Sequence, residues 1–224
     1  METKTKQLKK DLLTWYKNNK RSFSWRNTND PWKILLIEII SQQTQINRAD
    51  TYYQKFIKRF PTPESMSKSS LKTILKMWSG LGYNNRAKRL YESSKLLAEQ
   101  GFEGIYPNFE ILPGVGPYTK NAILSFAYGD NVLAVDTNLQ RIIIRYFGID
   151  NTKDYLREYS DLLLESIKSE DLNQAFMDFG SSICTSSNTK CDICPLEKNC
   201  KKYFVNSKNS IKKFKGSNRE LRGK

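Results

Sequence analysis

Two carboxylates in this chain sit where they could do acid chemistry. Glu38 lies inside "ILLIEII", residues 34 to 40. A carboxylate flanked by apolar neighbours should have a raised pKa and stay protonated long enough to act as a general acid, although the plainer reading is an exposed helix position. Asp136 precedes Thr137 and Asn138 and the run "NLQRIIIRYFG". Read locally, it is an N-cap of the helix that follows.

A third group is chemical by type and spacing. Cys184, Cys191, Cys194 and Cys200 follow C-x6-C-x2-C-x5-C, and the chain has no histidine to share a metal. Four thiolates in one short loop complete a closed four-ligand site; spacing alone leaves structural zinc and an iron-sulfur cluster both open. A fourth element is "LPGVGPYT", residues 112 to 119. Its glycines permit positive φ and close approach by another backbone, and the helix after them presents unpaired N–H groups. Such a corner binds a phosphate without reading sequence. A plain helix-to-helix turn explains the glycines equally well.

The elements that must hold these groups are helical. Periodicity predicts a first helix over 7–18, a turn over 25–30, and two helices in "PWKILLIEIISQQTQINRADTYYQKFIKRF" with Pro31 at a first helical position. Further helices are expected before Gly80 and before Gly101, and over 117–128, 138–147, 152–168 and 171–182. No sustained two-residue alternation calls for strands, so the expected class is all-α.

Composition bounds the partners. Among 224 residues, 37 Lys plus Arg face 23 Asp plus Glu, a formal charge of +14. That points toward an anionic polymer, with nucleic acid the leading candidate. No apolar run approaches the ~18 residues of a membrane span, and the N-terminus lacks the apolar core of a secretory signal. A cytoplasmic location is expected, and the crowding of all four cysteines between 184 and 200 favours metal ligation over disulfides. From residue 201 onward nine Lys or Arg meet one Glu, which reads as a basic arm.

Taken together, Leu112-Pro113-Gly114-Val115-Gly116, Thr119 and Asp136 some twenty residues later resemble the helix-hairpin-helix DNA glycosylases of the endonuclease III superfamily. The match runs over roughly residues 8–204. Within that superfamily "EIISQQTQ", "GLGYNNRAKRL", "VDTN" and "NQAFMDFGSSICT" look most like the adenine glycosylases acting opposite guanine or 8-oxoguanine. The resemblance implies a two-lobed all-α fold. Residues 29–133 would form a helical barrel with the hairpin, residues 1–28 and 134–204 a discontinuous cluster domain, and 205–224 a basic tail.

For the site, the resemblance implies that Glu38 protonates the purine at N7 and that Asp136, with Asn138 nearby, stabilises the oxocarbenium-like state at C1′. Tyr118 stands where strand-cleaving relatives carry a Schiff-base lysine. A phenol cannot do that chemistry, and Lys120 lies roughly 200° round the helix from it. A monofunctional enzyme leaving an abasic site is therefore expected. Gln42, Gln43 and Tyr83 match positions that wedge the base stack, and Arg86, Lys88 and Arg89 would contact phosphates. Leu112, Gly114, Val115, Gly116 and Thr119 form the hairpin that holds the DNA backbone. The resemblance also implies a 4Fe-4S cluster on the four cysteines, folding a basic loop of Lys190, Lys198, Lys201 and Lys202 against DNA. The expected partner is duplex DNA with a mismatch or lesion, met by a monomer with no membrane association.

One departure is Thr137, where many relatives have glycine. A second is that the chain stops short of the C-terminal domain that recognises 8-oxoguanine, which implies a short form. Thymine or uracil glycosylases acting on mismatches with guanine share the Tyr, Asp and Glu arrangement and "RYFG", and are the alternative. A non-catalytic DNA-binding module would not need Glu38, Tyr118 and Asp136 together, and a zinc-stabilised helical regulator would be colourless.

Overall fold

The structure, a computed structural model, describes residues 1–204. The basic arm expected beyond them, over 205–224, lies outside the described residues. Among the described residues every regular element is helical, as the periodicity implies.

The first core gathers around α2 (Pro31–Ser41), with α3 (Ile46–Arg59), α4 (Pro63–Ser67), α5 (Leu71–Trp78), α6 (Asn85–Ile105) and α7 (Pro117–Ile123) about it. α2 starts sharply because Asp30 accepts hydrogen bonds from the Trp32 and Lys33 N–H groups and Pro31 occupies the first turn. It buries Trp32, all of Ile34 to Ile37, Ile39 and Ile40. A helix apolar on nearly every side belongs in the middle of a core, which makes its one carboxylate conspicuous. Trp32 anchors the lobe through its indole N–H to the Phe60 carbonyl, 2.9 Å.

The second core joins α1 (Glu2–Asn19) to α8 (Thr137–Phe147), α9 (Lys153–Leu164), α10 (Ser169–Ser182) and the cysteine loop. The N-terminal helix thus packs on elements more than 130 residues away in sequence; Thr5 and Tyr155 share a buried hydrogen bond of 3.0 Å.

The chain crosses between the cores after a π-helical turn, Leu124–Tyr128, through an extended segment ending at Asp136. Buried Asn173 acts as that segment's strand partner. Its Oδ1 accepts from the Ala134 N–H at 3.0 Å, and its Nδ2 donates to the Val132 carbonyl at 2.9 Å and to Ser125 Oγ at 3.0 Å.

Several boundaries differ from the sequence expectation. α1 begins at Glu2 rather than 7, because Leu8 and Leu12 bury one stripe and the polar turn before them continues it. α4 was not foreseen; five residues carry little periodicity, but Thr62 and Ser65 close a capping box over Pro63. Gly101, expected to end its helix, instead breaks it at φ 70° and one more turn follows. The helix expected over 117–128 widens into the π turn after Ile123.

Candidate active site

Glu38 reaches a narrow cavity between the two cores, lined among others by Trp25, Arg26, Phe126, Gln174 and Met177. Burial pushes its carboxyl up to about 7; hydrogen bonding from Tyr118 pulls it back somewhat, and the charge of Asp136 raises it further. Near neutrality the group is therefore divided between acid and base. α7, packed against α2, delivers Tyr118, whose phenol is held well above its usual range by burial and then by Glu38 and Asp136. Lys120 points elsewhere, pairing with Glu110 at 3.2 Å.

Asp136 is both a cap and a site residue. One oxygen accepts the Leu139 N–H at 2.7 Å, and the other accepts from Asn138 Nδ2 at 2.6 Å. Burial raises its pKa, opposed by these bonds. Asn138 is held in turn by Arg141, which donates to its Oδ1 and to the Gly180 carbonyl at 2.7 Å each and to the Cys184 carbonyl at 2.8 Å. Gly180 has to be glycine here: a Cβ would lie 2.5 Å from that of Asn138.

The cavity wall is a feature the sequence reading missed. By sequence, residues 25–30 read only as a turn. Arg26 gives two hydrogen bonds, 2.6 and 2.7 Å, to Asp178, which is fully buried and also takes a 2.7 Å bond from Arg21 Nε. Burial alone would raise the Asp178 carboxyl, but Arg26 and Arg21 outweigh it and hold it below the usual range. The available signal was weak: an aspartate in an otherwise apolar helical stripe, far in sequence from two arginines.

The hairpin corner partly departs from expectation. Gly114 does take φ 90°, and a Cβ there would press on Arg89 at 3.2 Å. Gly116 instead has φ −104°, open to any residue, with free space where a side chain would point. Leu112, Val115 and Thr119 are buried, so their side chains serve packing and only backbone is left to face a ligand. The Val115 N–H is itself taken by the Leu112 carbonyl.

Gln42 donates to the Gly114 carbonyl at 3.3 Å, tying the end of α2 to the hairpin. Gln43 and Tyr83 are exposed, Tyr83 by 62%, and both hold positive φ, 55° and 48°. Lys88 and Arg89 are exposed, with Lys88 3.8 Å from Glu92. Arg86 is a correction. Expected on a phosphate, it is only 6% exposed and its guanidinium is taken up by backbone carbonyls, because the first turn of α6 points it into the protein.

The four cysteines line one apolar cavity beside Ile142, Tyr146 and Phe179. Arg145 donates to Cys184 Sγ and the Lys202 N–H to Cys200 Sγ, at 3.4 and 3.3 Å. Among the described residues no set of His, Cys, Asp and Glu is drawn tightly enough to hold a single metal ion. Four free thiols around one pocket, with N–H groups directed at sulfur, are a donor set that fits a thiolate-held cluster. Lys190, Lys198, Lys201 and Lys202 are exposed around it. No helix among the described residues is long and apolar enough to cross a membrane.

The chain is 42% identical over 204 residues to the adenine DNA glycosylase of Buchnera aphidicola subsp. Baizongia pistaciae, covering 87% of this chain and 58% of that protein. It is 34% identical over 199 residues to the adenine DNA glycosylase of Mycobacterium tuberculosis, covering 84% and 65%. It therefore spans little more than half the length of the Buchnera relative. Among solved structures, a thermostable thymine-DNA glycosylase superposes with TM-score 0.81 at 32% identity, over 90% of this chain and 97% of that one. An endonuclease III–DNA complex gives TM-score 0.74 at 20% identity over 90% and 96%, a likeness of fold. Residues 36–166 match the family described as HhH-GPD superfamily base excision DNA repair protein, and the chain belongs to that family.

Proposed function

We propose that the protein is a monofunctional DNA glycosylase of base excision repair that removes adenine mispaired with guanine or 8-oxoguanine and leaves an abasic site. The observation that carries this reading is Glu38 at the cavity between the two cores, its carboxyl pushed up to about 7 by burial, with Tyr118 hydrogen-bonded to it and the Asp136 charge close enough to raise it further. Glu38 donates a proton to the extruded purine at N7, which makes the base a better leaving group. Asp136, its charge kept by Leu139 N–H and Asn138, faces the sugar and stabilises the cation that develops at C1′. Water then completes the displacement, for which Glu38, now a carboxylate, is the base. With a phenol at 118 and Lys120 held by Glu110, no amine is offered to the sugar, so strand cleavage is absent.

Extrusion requires the duplex to be held and its stack opened. In this reading backbone at Gly114 and Gly116 docks the phosphates, Gln42, Gln43 and Tyr83 fill the gap, and Lys88 and Arg89 add charge. Cys184, Cys191, Cys194 and Cys200 would hold a 4Fe-4S cluster that fixes the basic loop. The protein acts as a monomer on DNA in the cytoplasm, in association with the nucleoid. In this reading the chain divides into units 29–133 and 1–28 with 134–204, and the extruded base enters between them; the two separate apolar cores support it.

Single-turnover base release followed by alkali, on A:8-oxoG, A:G, T:G and U:G duplexes, tests the proposal. Release from the two adenine duplexes alone, lost in Glu38→Gln and Asp136→Asn, is expected. The specific observation favouring the other branch is the match to a thymine-DNA glycosylase over 97% of its length. Release from T:G or U:G with adenine untouched would move the protein there and leave Glu38 without its N7 role.

A further inference from the structure

Arg86 is buried, cationic, and has no carboxylate partner among the described residues. Its charge is met entirely by dipoles. Nη1 donates to the carbonyls of Ile39 at 3.3 Å and Ile40 at 2.8 Å, to the Gln42 carbonyl, and to Thr44 Oγ1 at 3.1 Å. Nη2 donates to the carbonyls of Leu81 at 3.2 Å and Gly82 at 3.1 Å. One nitrogen thus serves the turn that ends α2, and the other serves the turn that ends in Tyr83. The Trp78 ring lies 5.0 Å from the guanidinium carbon and itself donates to the Gly82 carbonyl at 3.0 Å.

This arrangement costs stability. A buried cation without a counter-charge is unfavourable, and burial pushes the guanidinium pKa down. Nε is buried with no acceptor at all. The two turns it joins are also strained: Gln43 and Tyr83 are non-glycine residues held at positive φ, a conformation that persists only when the surroundings over-determine it. Arg48 and Tyr52, from α3, already brace this loop through the carbonyls of Gly80 and Ser79. What Arg86 adds is the link from that loop to the α2 turn.

We propose that Arg86 is a positioning residue that locks the Gln42-Gln43 turn and the Gly82-Tyr83 turn into one rigid unit, so that both enter the base stack together. The inference rests on the reading of Gln42, Gln43 and Tyr83 as stack-filling residues. Lysine cannot substitute, because a single ammonium cannot serve both turns as the planar fork does.

The test uses the full chain and a duplex carrying 2-aminopurine beside an A:8-oxoG pair. Fluorescence rise on binding reports opening of the stack; single-turnover base release and affinity for undamaged duplex at several salt concentrations are read in parallel. Arg86→Gln and Arg86→Lys are compared with Tyr83→Ala. Both Arg86 variants are expected to lose most of the fluorescence rise and to release base about tenfold or more slowly. Their affinity for undamaged duplex should stay within about twofold with an unchanged salt slope. Where Arg86→Gln does not fold, Arg86→Lys decides. Normal fluorescence and rate in the Arg86 variants, with Tyr83→Ala impaired, would overturn the clamp alone. Normal behaviour of all three would overturn the stack-filling reading and the clamp with it. Weaker binding to undamaged duplex, with the salt slope reduced by about one ion, would make Arg86 a phosphate contact instead.

Discussion

Arg26 and Arg86 each carry a guanidinium out of water, but by different means. At the pocket wall Arg26 faces Asp178, whose side chain has no exposure and takes a second arginine as well. At the turns after α2 and before α6 Arg86 meets carbonyls, a hydroxyl and the faces of Trp78 and Tyr83, with no carboxylate among the described residues. The pocket is therefore fixed by groups that titrate and the turn by groups that do not. In the proposed function, charge is matched by charge where the base is handled, and one planar cation ties two backbone turns where the stack is opened. Chemistry and stack opening should then be separable by mutation and by pH.

The largest effect is expected from removing the chemistry while leaving the turn intact. Glu38→Gln or Asp136→Asn should slow single-turnover base release by roughly 10³-fold or more. The 2-aminopurine signal should persist. If that signal vanished as well, the two regions would not be independent.

The ion pair comes next. Asp178→Asn strands Arg26 and should cost about 3 to 5 kcal/mol in unfolding experiments. Asp178 has its folded pKa depressed, so its contribution is present above the ordinary aspartate range and fades as pH falls through the lower folded value. The difference between wild type and Asp178→Asn should shrink toward acid. That between wild type and Arg86→Gln should stay flat over the same window, and this would sharpen the contrast.

Glu38 gives the opposite sign. Its folded pKa is raised to about 7, so folding is favoured below the unfolded carboxylate value and disfavoured as pH rises through 7. Glu38→Gln should gain up to about 3 kcal/mol of stability at alkaline pH and nothing near pH 4. The wild-type rate should fall about tenfold per pH unit above 7.

Smaller effects follow. Gly180→Ala pushes on Asn138 and should slow base release by about tenfold to a hundredfold in a folded protein. Lys120→Ala removes only a partly exposed pair and should change unfolding free energy by under about 1 kcal/mol. It should leave strand cleavage absent.

Much of this was legible in the sequence, for physical reasons. Helical periodicity located α5 and α8 because each buries an apolar face, whereas α2 is legible as a short run apolar on nearly every side whose start Asp30 and Pro31 mark in their own chemistry. Glu38 stood out as a charge in an apolar run, and the cysteines by their spacing. What could not be read depends on contacts distant in sequence. Asp178 and Arg26 are separated by 152 residues, and neither is unusual in its own helix or turn. Arg86 looked like one more basic residue in "NRAKRL"; only the direction of the first turn of α6 separates it from exposed Lys88 and Arg89. Gly116 resembled Gly114 by composition, yet only Gly114 adopts the left-handed backbone.

The most direct measurement compares single-turnover release of adenine with that of 7-deazaadenine, each opposite 8-oxoguanine. Replacing N7 by carbon removes the atom that the proposed mechanism has Glu38 protonate, while keeping the base's shape. Adenine should be released, at a rate that falls above pH 7, and 7-deazaadenine should bind and stay attached. Comparable release of the two bases would contradict protonation by Glu38 at N7.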